Sequence, residues 1–575
     1  MRNRKGSLLL MVGGIAVLCL AAIAEDKPSP GAMSKSDTVP ASSTSQTNST
    51  VPATFDQVVD RIVERERAFN EQMRTLQPLV ETYIQSLTPD HELGLVPSGD
   101  HYFLGRLNLQ NGVEDHSYLE PPKGPHGFFS KLTKPIVPRF LPRGFAQMAI
   151  LDNDFERSKY DFTFVRREFL GEVRCLVVDV QPRKNSGNGR FIGRIWVEDQ
   201  DYSIVRFNGT YGPIRRPAHY FHFDSWRLNM RPGMWLPAYI YSEESHIDIG
   251  LTHDLRFKAQ SRLWGYDLSR TARNEEFTQI VVDNPQNVRD QSETAQDATP
   301  VESQRRWERQ AEDNAIERME KVGLLAPEGE VDKVLQTVAN NLIVTNNLNI
   351  QPEVRTRVLL TMPLESFTIG HTIVLSRGLL DVLPDEASLA MVIGHELSHI
   401  ELGHSLDTTL AFNDKLFFRD ESTMTQLDFS QNPAEEDSAD TKAMELLANS
   451  PYKDKLGSSS LFLKVLQARA PDLKNLIHSH LGNNLTDGKS TVRMAALLQS
   501  APQLEMRKTD QIAALPLGAR IKLDPWSSRI ELVKTKPVAL TSAREKMPFE
   551  VTPFFPYLTR ITNPGAEKIA LAPAK

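Results

Sequence analysis

The stretch HELSH occupies His395–His399, and a second stretch, EDSAD, occupies Glu436–Asp440. Apolar residues at helical spacing surround the first stretch, so it is expected to lie on a helix. His395 and His399 then stand one turn apart on the same helical face, and the carboxylate of Glu396 lies between them in the sequence. Imidazole and carboxylate groups in this pattern are typical ligands of zinc. The two stretches together therefore predict a metal centre built from two helices.

The third protein ligand of this centre has two candidates. One class of zinc peptidase uses a histidine six residues after the second histidine, but Ser405 occupies that position. His404 is one residue early and, at about 100° per residue, would point away from the ligand face of a continuous helix. Glu436 is the better candidate, because Asn432–Glu435 supplies a cap residue, a first-turn proline and an acid, all typical of a helix start.

We predict one Zn²⁺ per chain, held by His395, His399 and Glu436, with a fourth position left for water. Zinc lowers the pKa of bound water, and Glu396 is placed to accept the proton as a general base. Asp440 lies one helical turn after Glu436. It is expected to hold a ligand histidine through the other ring nitrogen.

The N-terminus has the layout of a secretory signal peptide. Basic residues within Arg2–Lys5 precede an apolar run from Leu8 to Ala24, and Ala22–Ala24 provides a cleavage site of the small-x-small type. The alternative is an uncleaved membrane anchor. Residues 1–24 are therefore predicted to direct export to the periplasm or cell envelope of a bacterium. The net charge of -7 gives no indication of nucleic-acid binding.

The 575 residues are too many for one ordinary domain, and the composition changes along the chain. Residues 25–53 are rich in Ser, Thr and Pro and predict a flexible linker. A helix expected over Phe55–Leu87 opens the next unit, residues 54–270, in which period-two alternation predicts antiparallel strands with one apolar face. Further along, the predicted units are a linker (271–300), a mainly helical domain (301–510) and a small β appendage (511–575). The expected fold class is thus α+β, multidomain.

The antiparallel unit contains the segment GRFIGRIWVEDQDYSIVRFNG at residues 189–209, which predicts a strand, a turn and a strand. This segment resembles the open half-barrel of bacterial outer-membrane lipoprotein carriers. The resemblance implies a half-barrel-like unit that could associate with a membrane or with lipoproteins. A plain β-sandwich interaction module is the alternative.

Four stretches resemble a family of zinc endopeptidases that includes the CAAX prenyl protease, the heat-shock membrane protease HtpX and a periplasmic peptidase that supports β-barrel assembly. They are Thr368–Leu380, His395–His399, Glu436–Asp440 and Thr491–Leu497. The resemblance covers residues 300–500. It implies a mainly α-helical zincin metalloprotease domain with a short β-sheet over the active-site cleft.

The same resemblance implies roles for individual residues. His395, His399 and Glu436 match the family's metal ligands, Glu396 its base and Asp440 its second acid. Arg493, with His480 before it, matches a pair near the reacting carbonyl, although the spacing is longer and a proline is missing. The family's cleft edge, where an extended substrate would add as a strand, corresponds to Thr372, Ile373, Val374 and Leu375. His404 matches a histidine that some members place beside the zinc, where it could gate the open position.

Two functions follow as hypotheses. The first is an exported zinc endopeptidase that acts on polypeptide substrates, namely misfolded envelope proteins. The alternative is a lipid or lipoprotein carrier, or a chaperone, in which the peptidase fold serves as a scaffold. The complete set of predicted ligands and the predicted base favour the enzyme.

Overall fold

The structure is a computed structural model, and it describes a defined part of the chain. The described residues are 52, 54–110, 114–117, 142–266, 300–404, 429–500, 521–524, 529–532 and 549–561, with gaps at 91–93, 153, 213–220, 249–253, 479, 483–484, 487–491 and 552. The predicted signal peptide and almost all of both predicted linkers lie outside these residues. The domain boundaries drawn there stay predictions.

Ten antiparallel strands form one sheet in the first half of the chain. They are β1 (Leu79–Asp90), β2 (Gly94–Asn108), β3 (Glu114–Ser117), β4 (Tyr160–Leu170), β5 (Val173–Pro182), β6 (Arg190–Glu198), β7 (Ile204–Gly212), β8 (Phe223–Arg231), β9 (Met234–Asp248) and β10 (Asp254–Trp264). Their order across the sheet is β3-β2-β1-β10-β9-β8-β7-β6-β5-β4. Within the described residues nothing pairs β3 with β4, so the sheet is open. The predicted strand, turn and strand of residues 189–209 are β6 and β7.

The second half of the chain is mainly helical, as predicted. The helices within the described residues are α1 (Phe55–Met73), α2 (Pro142–Gln147), α3 (Pro300–Val322), α4 (Glu330–Thr345), α5 (Arg377–Val382), α6 (Glu386–Leu402), α7 (Pro433–Ala448), α8 (Gly457–Arg469) and α9 (Lys474–Ile477). The other strands are β11 (Arg355–Leu359), β12 (Ser366–Ile369), β13 (Thr372–Ser376), β14 (Ile521–Asp524) and β15 (Arg529–Leu532). Short 3₁₀ turns lie at Arg157–Lys159, Lys453–Lys455 and Ala495–Ser500.

The first helix is shorter than the sequence pattern predicts. The Thr54 side chain caps the N-terminus of α1, and the helix ends at Met73. The predicted continuation to Leu87 is wrong, because β1 begins at Leu79. β1 lies inside the sheet and buries both of its faces, so its apolar residues do not alternate with exposed polar ones. Pro78, which a helix interior does not tolerate, is the sequence signal for the change.

The large sheet buries both faces, whereas the sequence predicted one apolar face. One face packs against α1, α2 and an aromatic group around Phe155 and Tyr160. The opposite face shares a continuous core with the helical region, so that Trp226 and Trp264 of the sheet belong to the same cluster as Leu397 of α6. The sheet and the helical region are therefore joined through their cores.

Buried polar groups reinforce this junction. Glu81 of β1 pairs with Arg262 of β10 at 2.9 Å and accepts a hydrogen bond from the Tyr102 hydroxyl at 2.9 Å. The N–H of Met362 donates to the same carboxylate and so links it to the helical region. Asp100 of β2 accepts from the N–H of Leu476 in α9 at 2.8 Å. These directional contacts fix how the sheet faces the helices.

The region predicted as a small β appendage contains the β14–β15 hairpin and an extended segment, Phe549–Ile561, which we call the C-terminal clasp. At one end of the clasp, Gln85 of β1 hydrogen-bonds the carbonyl of Phe549 at 2.7 Å. Near the other end, the Glu172 N–H donates to the Leu558 carbonyl at 2.8 Å. A Cβ at Gly171 would lie 2.4 Å from that carbonyl, so this contact requires glycine. The clasp therefore crosses the sheet from β1 to the β4–β5 turn.

The small sheet of the helical region has the order β11-β13-β12. β13 pairs in parallel with β11 and antiparallel with β12, so it is the central strand. The prediction that Thr372, Ile373, Val374 and Leu375 form the cleft edge is therefore wrong. Uninterrupted apolar strands are typical of a sheet centre, and all five residues of β13 are buried.

A buried ion pair holds α1 against the large sheet. Both guanidinium Nη atoms of Arg227 in β8 donate to the Glu66 carboxylate at 2.7 Å, and both side chains are at most 2% exposed. The guanidinium also lies 3.7 Å from the centre of the Phe69 ring.

No helix among the described residues combines the length and the apolar character that crossing a membrane requires.

Replacing Glu66 by Gln should destabilise the protein strongly, because Arg227 would keep a buried charge without its counter-ion. Removing one partner of a buried pair typically costs about 3–5 kcal/mol in the free energy of unfolding. Urea denaturation measures this cost. Glu64→Gln, which changes an exposed partner of Arg61 on the same helix, should cost less than about 1 kcal/mol. Equal effects of the two substitutions would contradict the role given to the Glu66–Arg227 pair.

Glu365 should make stability depend on pH. Burial raises the pKa of Glu365 to about 8, although backbone hydrogen bonds from His480 and Leu481 oppose the rise. The folded state therefore holds this proton more tightly than the unfolded chain, in which the pKa is near 4.5. The stabilisation is complete below about pH 4.5 and is lost as the pH rises through about 8.

The corresponding experiment compares the unfolding free energies of wild-type and Glu365→Gln protein from pH 5 to pH 9. The wild-type protein should lose stability relative to the variant as the pH rises. Glu353→Gln, at an exposed position, should follow the wild-type curve. A constant difference between wild type and Glu365→Gln would show that Glu365 does not titrate in this range.

Candidate metal centre

The first half of the site lies on α6. The Asp385 side chain caps this helix by accepting from the Ser388 N–H at 2.8 Å. The helix ends at Gly403, whose φ of 70° is the left-handed conformation that glycine adopts readily. His395, Glu396 and His399 lie in its second half and are at most 2% exposed. The helix thus presents two imidazoles on one face inside the core.

The second half of the site lies on α7, as predicted from its start signals. The Asn432 side chain accepts from the backbone N–H of Ala434 and Glu435, and Glu435 completes a capping box. Glu436 is 1% exposed and points towards α6, against which α7 packs. Asp440 follows one turn later and lies 2.9 Å from Nδ1 of His395.

The atoms that could bind a metal converge. Nε2 of His395 lies 3.2 Å from Nε2 of His399. One Glu436 oxygen lies 3.3 Å from Nε2 of His395, and the other lies 3.5 Å from Nε2 of His399. Tetrahedral ligands about 2.0–2.1 Å from a zinc ion would be separated by about 3.3 Å from one another. The residues present therefore fit a single metal ion of this size.

The segment after residue 491 contacts two acids of α7, Glu436 and Asp440. Nε of Arg493 lies 3.0 Å from a Glu436 oxygen. The next residue, Met494, donates its backbone N–H to Asp440 at 2.9 Å. The structure thus places Arg493 beside the cluster, paired with the Glu436 carboxylate. Its catalytic role stays a prediction.

His480, predicted to act with Arg493, makes its contacts elsewhere. Its ring stacks on Tyr102 of β2 with the ring centres 5.2 Å apart. Its backbone N–H donates to Glu365 at 2.7 Å, and its Nε2 lies 3.3 Å from the Asn475 carbonyl. These contacts place His480 at the junction with the large sheet, so they support a structural role rather than the predicted catalytic one.

His404 folds back onto α6 because Gly403 turns the chain. Its backbone N–H donates to the His399 carbonyl at 3.0 Å. Its Nδ1 lies 2.9 Å from Nδ1 of His399, the ring nitrogen that does not face His395. Its other ring nitrogen lies 3.3 Å from the Ser438 hydroxyl. His404 thus lies behind a candidate ligand, and its gating role stays a prediction.

The protein groups of the cluster shift one another's pKa values strongly. Burial lowers the pKa of His395, but hydrogen bonds to Asp440 and Glu436 outweigh it and raise the value to about 10. Burial, together with the positive charges of His395 and Arg493, lowers the pKa of His399 to about 2. One imidazole is therefore held protonated and the other neutral by the protein groups alone.

The pKa of the Glu396 carboxyl group suits a residue that both accepts and releases a proton near neutral pH. Burial raises its pKa to about 7, against the charge of His395 and a hydrogen bond from Ser366. Ser366 begins β12, so this end of β12 lies beside the Glu396 carboxylate. The sequence analysis assigned no role to Ser366 or Ser438. Ser438 lies within EDSAD and could have been found there.

Comparison with known proteins agrees with this geometry. Residues 326–419 match the model of peptidase family M48. The segment is similar to M48 metallopeptidases. The Escherichia coli (strain K12) metalloprotease LoiP is 35% identical over 94 residues, which are 16% of this chain and 36% of that protein. The chain thus matches about a third of the relative's length.

The resemblance of this segment to a metallopeptidase family is confirmed. HELSH and His404 lie inside the matched segment, whereas Glu436, Asp440 and Arg493 lie outside it. The assignment of a third ligand therefore depends on the geometry of α6 and α7.

Two solved structures are also similar to parts of the chain. One is a domain described as an outer membrane lipoprotein-sorting protein from Vibrio parahaemolyticus, 10% identical, covering 38% of this chain and 96% of that one, with a TM-score of 0.20. The other is a DUF1329 family protein from Desulfovibrio piger, 12% identical, covering 37% of this chain and 91% of that one, with a TM-score of 0.18.

Glu436→Gln should weaken metal binding, because an amide is a poorer ligand than a carboxylate and carries no charge to balance the cation. Metal content after dialysis against a mild chelator measures the effect. Glu435→Gln is a matched control one residue earlier, since glutamine preserves the capping box. Full metal retention by Glu436→Gln would show that the third ligand is another residue.

Proposed function

We propose that this protein is an exported zinc-dependent endopeptidase that hydrolyses peptide bonds in polypeptide substrates. The observation that supports the proposal is the convergence of His395, His399 and Glu436 next to the buried carboxylate of Glu396. Their ligand atoms lie within 4.8 Å of one another. The similarity of residues 326–419 to M48 peptidases supports the same chemistry. Hydrolysis by metal-activated water is the reaction class that this constellation serves.

Zinc held by these three groups would supply a Lewis acid that polarises the scissile carbonyl and makes water a stronger nucleophile at neutral pH. Glu396 would take a proton from the attacking water and pass it to the leaving amine. A pKa near 7 suits this exchange, since the group can both accept and release a proton near neutral pH. Asp440 holds His395 from behind, and Arg493 holds the Glu436 carboxylate.

The substrate would lie beside β12 rather than β13. Ser366 at the start of β12 faces Glu396, and β12 packs against α6. An extended polypeptide that adds to a strand is held mainly by main-chain hydrogen bonds, so it needs little sequence preference. This binding mode suits unfolded segments. We therefore propose misfolded envelope proteins as the substrate class, with the N-terminal signal layout as the reason for an envelope location.

Glu396→Gln should retain zinc and the fold while proteolysis falls by about 10²–10⁴-fold, the usual contribution of general acid–base catalysis. Casein cleavage, zinc content and thermal unfolding are measured on the same preparation. Glu401→Gln is the matched control, because Glu401 lies on the same helix but pairs with Lys442 at 3.1 Å, away from the cluster. Near-normal turnover by Glu396→Gln would contradict the assignment of Glu396 as the general base. Absence of both zinc and chelator-sensitive cleavage in the wild type would overturn the proposed function.

A further inference from the structure

A chain of hydrogen bonds runs from α7 to the far side of a candidate ligand. The Ser438 hydroxyl lies 2.9 Å from the Glu435 carbonyl and 3.3 Å from Nε2 of His404. Nδ1 of His404 lies 2.9 Å from Nδ1 of His399. Each link joins one polar side chain to the next without interruption.

The donors and acceptors of this chain assign its proton positions. A carbonyl oxygen only accepts, so the Ser438 hydroxyl donates to Glu435 and its oxygen is left to accept from Nε2–H of His404. In the neutral form of His404 the single N–H is then on Nε2, so Nδ1 is the acceptor. Nδ1 of His399 must then be the donor. The lone pair of His399 is thereby on Nε2, which faces His395 and Glu436.

The backbone reinforces the same arrangement. Gly403 in the left-handed conformation reverses the chain after α6, and the His404 N–H donates to the His399 carbonyl. Both ring nitrogens of His404 therefore have partners, and the ring is fixed behind His399 rather than in front of it. His395 has an equivalent partner in Asp440, but that partner is a carboxylate. A neutral imidazole performs the same task for His399 without adding a negative charge.

We propose that Ser438 and His404 are positioning residues that fix the Nδ1–H tautomer and the orientation of His399, and so set the affinity of the site for zinc. This inference rests on the proposed metal site. The expected effect of removing His404 differs from that of removing a gate. Loss of a gate would raise activity, whereas loss of a positioning residue lowers metal retention.

The test measures zinc affinity by competition with a chromogenic chelator, on the full chain, for wild-type and variant proteins. His404→Ala should weaken zinc binding by about 10–100-fold, the usual loss when the partner of a ligand histidine is removed. His404→Gln should recover most of the affinity, because its amide oxygen can accept from His399 while its NH₂ group donates to Ser438. Ser438→Ala should show a smaller loss in the same direction.

Thr441→Ala is the matched control for Ser438→Ala. The Thr441 hydroxyl also bonds a carbonyl of α7, that of Asp437 at 3.0 Å, and the residue is exposed. Its zinc affinity should equal that of the wild type. Thermal unfolding of the metal-free proteins should be the same for His404→Ala and His404→Gln, which separates ligand positioning from general destabilisation.

The outcomes distinguish this inference from the proposed function. Wild-type affinity in His404→Ala, or equal losses in His404→Ala and His404→Gln, would overturn the positioning role while leaving the metal site intact. A rise in basal proteolysis of His404→Ala at unchanged zinc content would establish a gate instead. Failure of the wild type itself to bind zinc would overturn the metal site and the positioning role together.

Discussion

Two imidazole nitrogens and a carboxylate face one another across 3.2–3.5 Å in the core of the helical region. Asp440 and His404 hold the far nitrogens of the two rings. In the metal-free protein the proton on His395 balances the buried Glu436 carboxylate, and a metal ion would replace that proton. Metal binding would then contribute directly to the stability of the fold. The caps of α6 and α7 and the Arg493 contact all act to hold these atoms at that separation.

The sequence predicts which side chains converge here because its signals are local. HELSH places two imidazoles one turn apart on any helix, and Asn432–Glu435 marks where the second helix begins. Such patterns depend on a few neighbouring residues and survive whatever tertiary structure surrounds them. The packing of α7 against α6, which brings Glu436 to the histidines, is not visible in either stretch. The prediction supplies it from the acid at the start of the second helix and from the resemblance to a family.

The errors arise in strands that are buried on both faces, because such strands do not alternate apolar and polar residues. β1 was assigned to a helix because a strand covered on both faces shows no alternation, and only Pro78 marks the boundary. β13 was assigned to a sheet edge through the resemblance to a family, although a strand whose five residues are all buried is more typical of a sheet centre. His404 is a third kind of case. Its distance from His399 in sequence does not decide its position, because the left-handed conformation of Gly403 redirects the chain.

The covering of the large sheet bears on the carrier hypothesis. One face holds α1 through the Glu66–Arg227 pair, and the other holds the C-terminal clasp and the helical region. Within the described residues, an apolar ligand that reached either face of the central strands would displace one of these elements. Displacing α1 would leave a buried arginine without its partner, a cost of about 3–5 kcal/mol that ligand binding would have to offset. Displacing the clasp would break the carbonyl contact for which Gly171 is required. The sheet is therefore better suited to supporting the metal centre than to exchanging a ligand.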